Sequence, residues 1–84
     1  MARINLPALT SEIMLHDAFA NTSKAQVEAV LRFTLDTIAN HVIAGDEVAL
    51  PGFGKFERFE SSVTGSIKPK FRPAKKFKDD MIKQ

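Results

Sequence analysis

Three cations, Lys68, Lys70 and Arg72, alternate with Ile67, Pro69 and Phe71 in the run IKPKFR. Successive side chains of an extended strand point to opposite faces, so the three charges are expected to share one face and the apolar residues the other. A few residues further on, Lys75, Lys76 and Lys78 crowd the start of a predicted final helix that opens near Pro73. The helix macrodipole disfavours cations there by a few tenths of a kcal/mol each, so their placement implies another use. Arg58, with Lys76, is a candidate of second rank. The chemistry such a set performs is attraction of a polyanion through its charges, without covalent catalysis.

The distribution of charge supports this reading more than the total does. The chain of 84 residues carries a net charge of only +2. Residues 1–54 hold three basic against six acidic side chains, net −3, and residues 55–84 hold nine against four, net +5. The polyanion is therefore expected at the carboxyl-terminal third, with the rest of the chain as scaffold. An ordinary solvated basic surface is the competing reading.

Other chemistries lack their partners in the sequence. His16 and His41 lie 25 residues apart and there is no cysteine, so no converging metal ligands, disulfide framework or cofactor is expected. Ser61, Ser62 and Ser66 have no neighbouring base, and Asp79-Asp80 and Asp46-Glu47 are adjacent carboxylates whose side chains diverge. PGFGKF lacks the spacing of a phosphate loop. No enzyme is expected. No apolar run approaches the roughly 20 residues that span a bilayer, and the chain reads as soluble, unexported and without a membrane partner.

The elements that must position the cations follow from periodicity. A first helix is expected within LPALTSEIMLHDAFA, with Pro7 in its first turn and Thr10 as a capping candidate. Ser23 and Gln26 fit a capping box for a second helix, along which Val27, Val30, Leu31, Leu35, Ile38 and Val42 form one apolar stripe. Phe33 falls outside that stripe and should meet the first helix or a second subunit. Ala44-Gly45 ends the helix. The period then changes to two: Val48 and Leu50, then Phe53 to Phe59, read as strands interrupted by a bend at Pro51-Gly52, and residues 61–66 turn the chain into the returning strand. In the tail, Phe77 and Met81 are expected to face inward. The fold class is α+β: two amino-terminal helices, a β-hairpin sheet and a short carboxyl-terminal helix in a single domain, residues 1–84.

The stretch GDEVALPGFGKFERF, with the capped helix before it and KFRPAKKFKDDM after it, resembles the HU and integration host factor family of histone-like bacterial DNA-binding proteins. The likeness covers residues 23–81, and residues 1–9 are read as a flexible or partly helical extension. It implies two intertwined protomers, a dimer core formed by Phe53, Phe56 and Phe71, and phosphate contacts by Lys75 and Lys78. It also implies a cytoplasmic, nucleoid-associated protein whose partner is double-stranded DNA. The family's long basic arm with an RNP-like tip is here shortened to residues 57–72, with FESSVTGSIKPKF in its place and no proline in the turn. Proline-driven kinking is therefore not expected.

The leading expectation is an architectural homodimer that binds duplex DNA through phosphates, largely independent of sequence, with mild bending. The alternative is a protein-interaction module of the same fold that heterodimerises with a full-length relative. A platform for single strands would need exposed rings, of which Phe59 is the evident candidate.

Overall fold

In a computed structural model, which describes residues 2–83, helix α1 (Leu6–Ile13) begins at Asn5, whose side chain accepts a hydrogen bond of 3.0 Å from the Ala8 N–H. Thr10, expected as a cap, instead lies inside the helix. It is fully buried, and its hydroxyl donates to the Leu6 carbonyl at 2.9 Å. The helix is also shorter than expected. Bonds from the Leu15 and His16 N–H groups to the carbonyls three residues back tighten its last turn, and His16 is extended. A short 3-10 turn, Asp17–Phe19, follows.

Helix α2 (Lys24–Ile43) starts as its capping box requires. The Gln26 N–H donates to the Ser23 hydroxyl at 3.1 Å, and the Gln26 side chain accepts from the Ser23 N–H at 3.3 Å. Its end is a Schellman motif, in which Asp46 N–H bonds the His41 carbonyl at 2.9 Å and Gly45 N–H bonds that of Val42 at 3.0 Å. Of the expected apolar stripe Val27 and Val42 are buried, whereas Val30 and Leu35 are exposed. Phe33 is 66% exposed.

The chain divides into two compact units, residues 1–36 and 37–84. The first contains α1, the 3-10 turn and the opening turns of α2, with an apolar concavity lined by Ile13, Phe19, Val27, Val30 and Leu31 among others.

In the second unit, β1 (Val48–Leu50), β2 (Gly54–Glu60) and β3 (Ile67–Pro73) form an antiparallel sheet in that order, followed by α3 (Lys75–Ile82). The bend expected at Pro51-Gly52 is a four-residue turn closed by a 3.1 Å bond from Phe53 N–H to the Leu50 carbonyl, with Gly52 at φ 76°. A positive φ at the third position is the requirement of a type II turn, and proline suits its second position. Gly54 answers to a different constraint. A Cβ there would lie 2.5 Å from the Arg72 carbonyl oxygen and 2.7 Å from the Phe71 ring, so only glycine lets β2 and β3 meet at this point.

β1 pairs with residues 54–56 only, so beyond Phe56 the sheet narrows to a two-stranded ribbon. The turn at its tip is closed by bonds from Ser61 N–H to the Ser66 carbonyl and from Gly65 N–H to the Ser61 carbonyl, both 2.9 Å. Pro73 ends β3 and Ala74 is the N-cap of α3, so the final helix opens two residues later than its proline indicated.

Candidate nucleic-acid interface

Register sorts the side chains of the sheet into two sets. Phe56 opposes Phe71, Arg58 opposes Pro69 and Glu60 opposes Ile67 on one face. Lys55 opposes Arg72, Glu57 opposes Lys70 and Phe59 opposes Lys68 on the other. The alternation of β3 thus places Lys68, Lys70 and Arg72 together.

The first face is aromatic at its root. Phe71 lies 4.8 Å from Phe56 and 5.2 Å from Phe53 between ring centroids, and Phe77 of α3 adds a fourth ring 5.3 Å from Phe53. The three rings expected in the core are in mutual contact, and Phe77 faces inward as its spacing indicated. Met81 does not, being 67% exposed. Ala74 N–H bonds the Phe53 carbonyl at 2.9 Å and ties the start of α3 to the Pro51-Gly52 turn.

The second face is cationic but internally compensated at its base. Arg72 Nε donates to Glu57 Oε1 at 2.6 Å, and Lys55 lies 3.5 Å from Glu47. The Arg72 hydrogen bond is the largest influence on the Glu57 carboxyl and, helped by the charges of Arg72, Lys55 and Lys70, holds it below its ordinary value of 4.5 against desolvation, which opposes it. Farther out, Lys68 and Lys70 both lie over the Phe59 ring, which is half-buried.

Arg58 is directed elsewhere. On the aromatic face, its guanidinium donates to the carbonyl of Ile43, the last residue of α2, and to Glu60, both at 3.3 Å. Lys75, Lys76 and Lys78 surround the start of α3, where Ala74 offers no side-chain cap to the first backbone N–H groups. Uncapped donors and ammonium groups at one helix start suit an anion. Lys76 also pairs with Asp80 at 3.3 Å, one turn on. Sequence reasoning did not anticipate the neutralisation of Arg72, because it requires knowing which acid stands diagonally across the ribbon.

Comparison with known proteins places this arrangement. The family model for bacterial DNA-binding proteins matches residues 8–61, well over half of the chain. The chain belongs to that family. A 51-residue stretch, 61% of the chain, is 43% identical to the DNA-binding protein HU of Nostoc sp. strain PCC 7120 and spans about half, 54%, of that relative's length. Among solved structures, HU from Anabaena in a cocrystal with DNA superposes with a TM-score of 0.75 at 28% identity, covering 93% of this chain and 97% of that one. HU from Thermotoga maritima gives 0.69 at 29% identity, over 93% of this chain and 98% of that one. The helices and three-stranded sheet are thus those of the HU fold. Among the described residues no helix is long and apolar enough to cross a membrane, and no group of three or more potential ligands could hold a metal ion.

Proposed function

We propose that this chain is an architectural protein of the HU type that binds double-stranded DNA as a homodimer, through phosphates and with little reading of bases. The observation that carries the proposal is the segregation on β3: Lys68, Lys70 and Arg72 share one face, while Phe71 on the other joins the aromatic cluster. The relative whose structure contains DNA has the same fold over nearly its whole length, which supports the choice of polyanion.

Dimerisation follows from the aromatic face. Phe53 and Phe71 are in ring contact with their neighbours yet remain 44% and 38% exposed in the single chain. At about 25 cal/mol per Å2, leaving such area in water costs some kcal/mol, which a second copy covering Phe53, Phe56 and Phe71 would recover. All 84 residues act as one functional domain, and its site of action is the cytoplasmic nucleoid.

The binding residues are Lys68, Lys70 and Arg72 on β3 with Lys75 and Lys78 at the start of α3. Lys76 contributes less because of Asp80, and Arg58 acts through its hold on α2. Contacts of this kind position a protein without specifying sequence. The free ribbon spans only residues 57–60 and 67–70, about 13 Å at strand rise, so any bending is mild.

A second reading is favoured by the Glu57–Arg72 and Glu47–Lys55 pairs, which cancel two cations of the face. In it the chain heterodimerises with a long-armed relative and modulates that relative's binding. Titration of duplex DNA against salt, with mass in solution measured alongside, tests both. A dimer touching about 6 phosphates gives a slope of log affinity on log salt near −5. A slope near zero overturns DNA binding, and a folded monomer at micromolar concentration overturns the dimer. Poor binding alone with recovery of binding in a mixed dimer selects the second reading. Bending is read from end-to-end energy transfer on a short duplex, and an unchanged distance removes it.

A further inference from the structure

The cationic face carries one aromatic ring in its two-stranded part, and two lysines share it. Lys70 Nζ stands 4.8 Å from the Phe59 ring centroid and Lys68 Nζ stands 5.7 Å from it. Phe59 is the direct cross-strand partner of Lys68, so the contact is built into the register. The ribbon has no third strand here, and cross-strand side-chain pairs are what order it.

The other cations of this face are held in a different way. Arg72 and Lys55 are fixed by Glu57 and Glu47, which hold them in place at the cost of cancelling their charge. Among the described residues, neither Lys68 nor Lys70 forms an ion pair with a carboxylate. A ring attracts an ammonium through its quadrupole and adds no net charge, so both lysines are held without an ion pair, although Lys70 stands opposite Glu57 and its charge acts on that carboxylate. Free lysines lose rotamer freedom when a phosphate immobilises them, and prior placement over a ring removes part of that loss before binding.

We propose that Phe59, Lys68 and Lys70 form a single phosphate-gripping unit on the arm, in which Phe59 is a positioning residue that keeps both ammonium groups ordered without an ion pair. The inference rests on the DNA-binding reading and deepens it: the short arm grips with a ring and two charges halfway along its length.

A double-mutant cycle on the full chain tests it, with duplex DNA titrated against salt. Phe59→Leu keeps an apolar side chain and removes the ring; it should weaken binding about two- to fivefold per arm and make the salt slope shallower. Phe59→Tyr should restore both. In a Lys68→Gln, Lys70→Gln background, Phe59→Leu should change nothing further, because the ring acts only through the two lysines. In the free protein, side-chain NMR signals of Lys68 and Lys70 should be displaced by the ring current in the wild type and the tyrosine variant.

Unaltered affinity and slope in a folded Phe59→Leu protein would overturn the proposal, as would an equal loss in both backgrounds, which would mean that the ring acts on DNA or on the fold by itself. Should the leucine variant fail to fold, lysine signals at random-coil positions in the wild type decide against it. A wild type with displaced lysine signals that binds no duplex refutes the DNA reading, and the phosphate role with it, while leaving the ring contact established. The two failures are therefore distinguishable.

Discussion

The two faces of the β2–β3 ribbon are made from the same fourteen residues of strand and treat their side chains in opposite ways. On one, Phe56 and Phe71 meet the rings of Phe53 and Phe77, and the exposed Arg58 bonds a helix carbonyl and Glu60. On the other, every second residue is charged except Phe59, and even that ring serves two lysines. On the proposed function, a period of two allows one strand to carry assembly and ligand binding without compromise between them. Substitutions on one face should therefore change stability and mass, and those on the other should change affinity and salt dependence.

The largest effect is expected from Phe71→Ala. Removing the ring at the centre of the cluster should cost about 3 to 5 kcal/mol and shift the dimer toward monomer, read by urea unfolding at several protein concentrations. Unfolding that is independent of concentration would break the assignment of this face to assembly. Next comes Gly54→Ala, where the new methyl group meets the Arg72 carbonyl and the Phe71 ring. A loss of about 1 to 3 kcal/mol is expected by the same measurement, with the DNA salt slope of the folded fraction unchanged.

Replacing Lys75 and Lys78 by alanine should leave the unfolding midpoint nearly unaltered. It should weaken binding to all duplex sequences alike, by about one unit of salt slope per lost contact. An effect confined to one sequence would mean that bases are being read. The smallest effect, and the only gain, is expected for Glu57→Gln, which frees Arg72 and should tighten duplex binding up to about fivefold at low salt. The same change sharpens the comparison through pH. Arg72 depresses the Glu57 carboxyl below 4.5, so the stabilisation from their pair is present above the ordinary carboxylate range and is lost as pH falls through the depressed value. The glutamine variant should lack that part of the acid unfolding curve.

Much of this was legible before any coordinates. The reciprocal bonds of Ser23 and Gln26, the stop at Gly45, the turn at Pro51-Gly52 and the common face of Lys68, Lys70 and Arg72 all rest on contacts within a few residues, which spacing alone can specify. The early end of α1 was not legible, because the sequence through Met14 to His16 has no proline or glycine to mark it. Nor could the fate of individual charges be read. Arg72 stands among cations in KPKFRPAKK yet meets a carboxylate 15 positions away across the ribbon, while Arg58, between two glutamates in FERFE, reaches Glu60 and also a carbonyl of α2. Residues that stripe periodicity placed inward, Val30 and Leu35, are exposed in one chain, since periodicity marks an apolar side without saying which molecule covers it.

The grip of Arg58 on the Ile43 carbonyl has a mechanical consequence. A cantilever clamped near its root deflects less under the same thermal kicks than one hinged there, and here the clamp joins the ribbon to the closing turn of a twenty-residue helix. Such a clamp is expected to damp sideways wandering of the tip, so that on the proposed function a duplex would meet a lever already pointed.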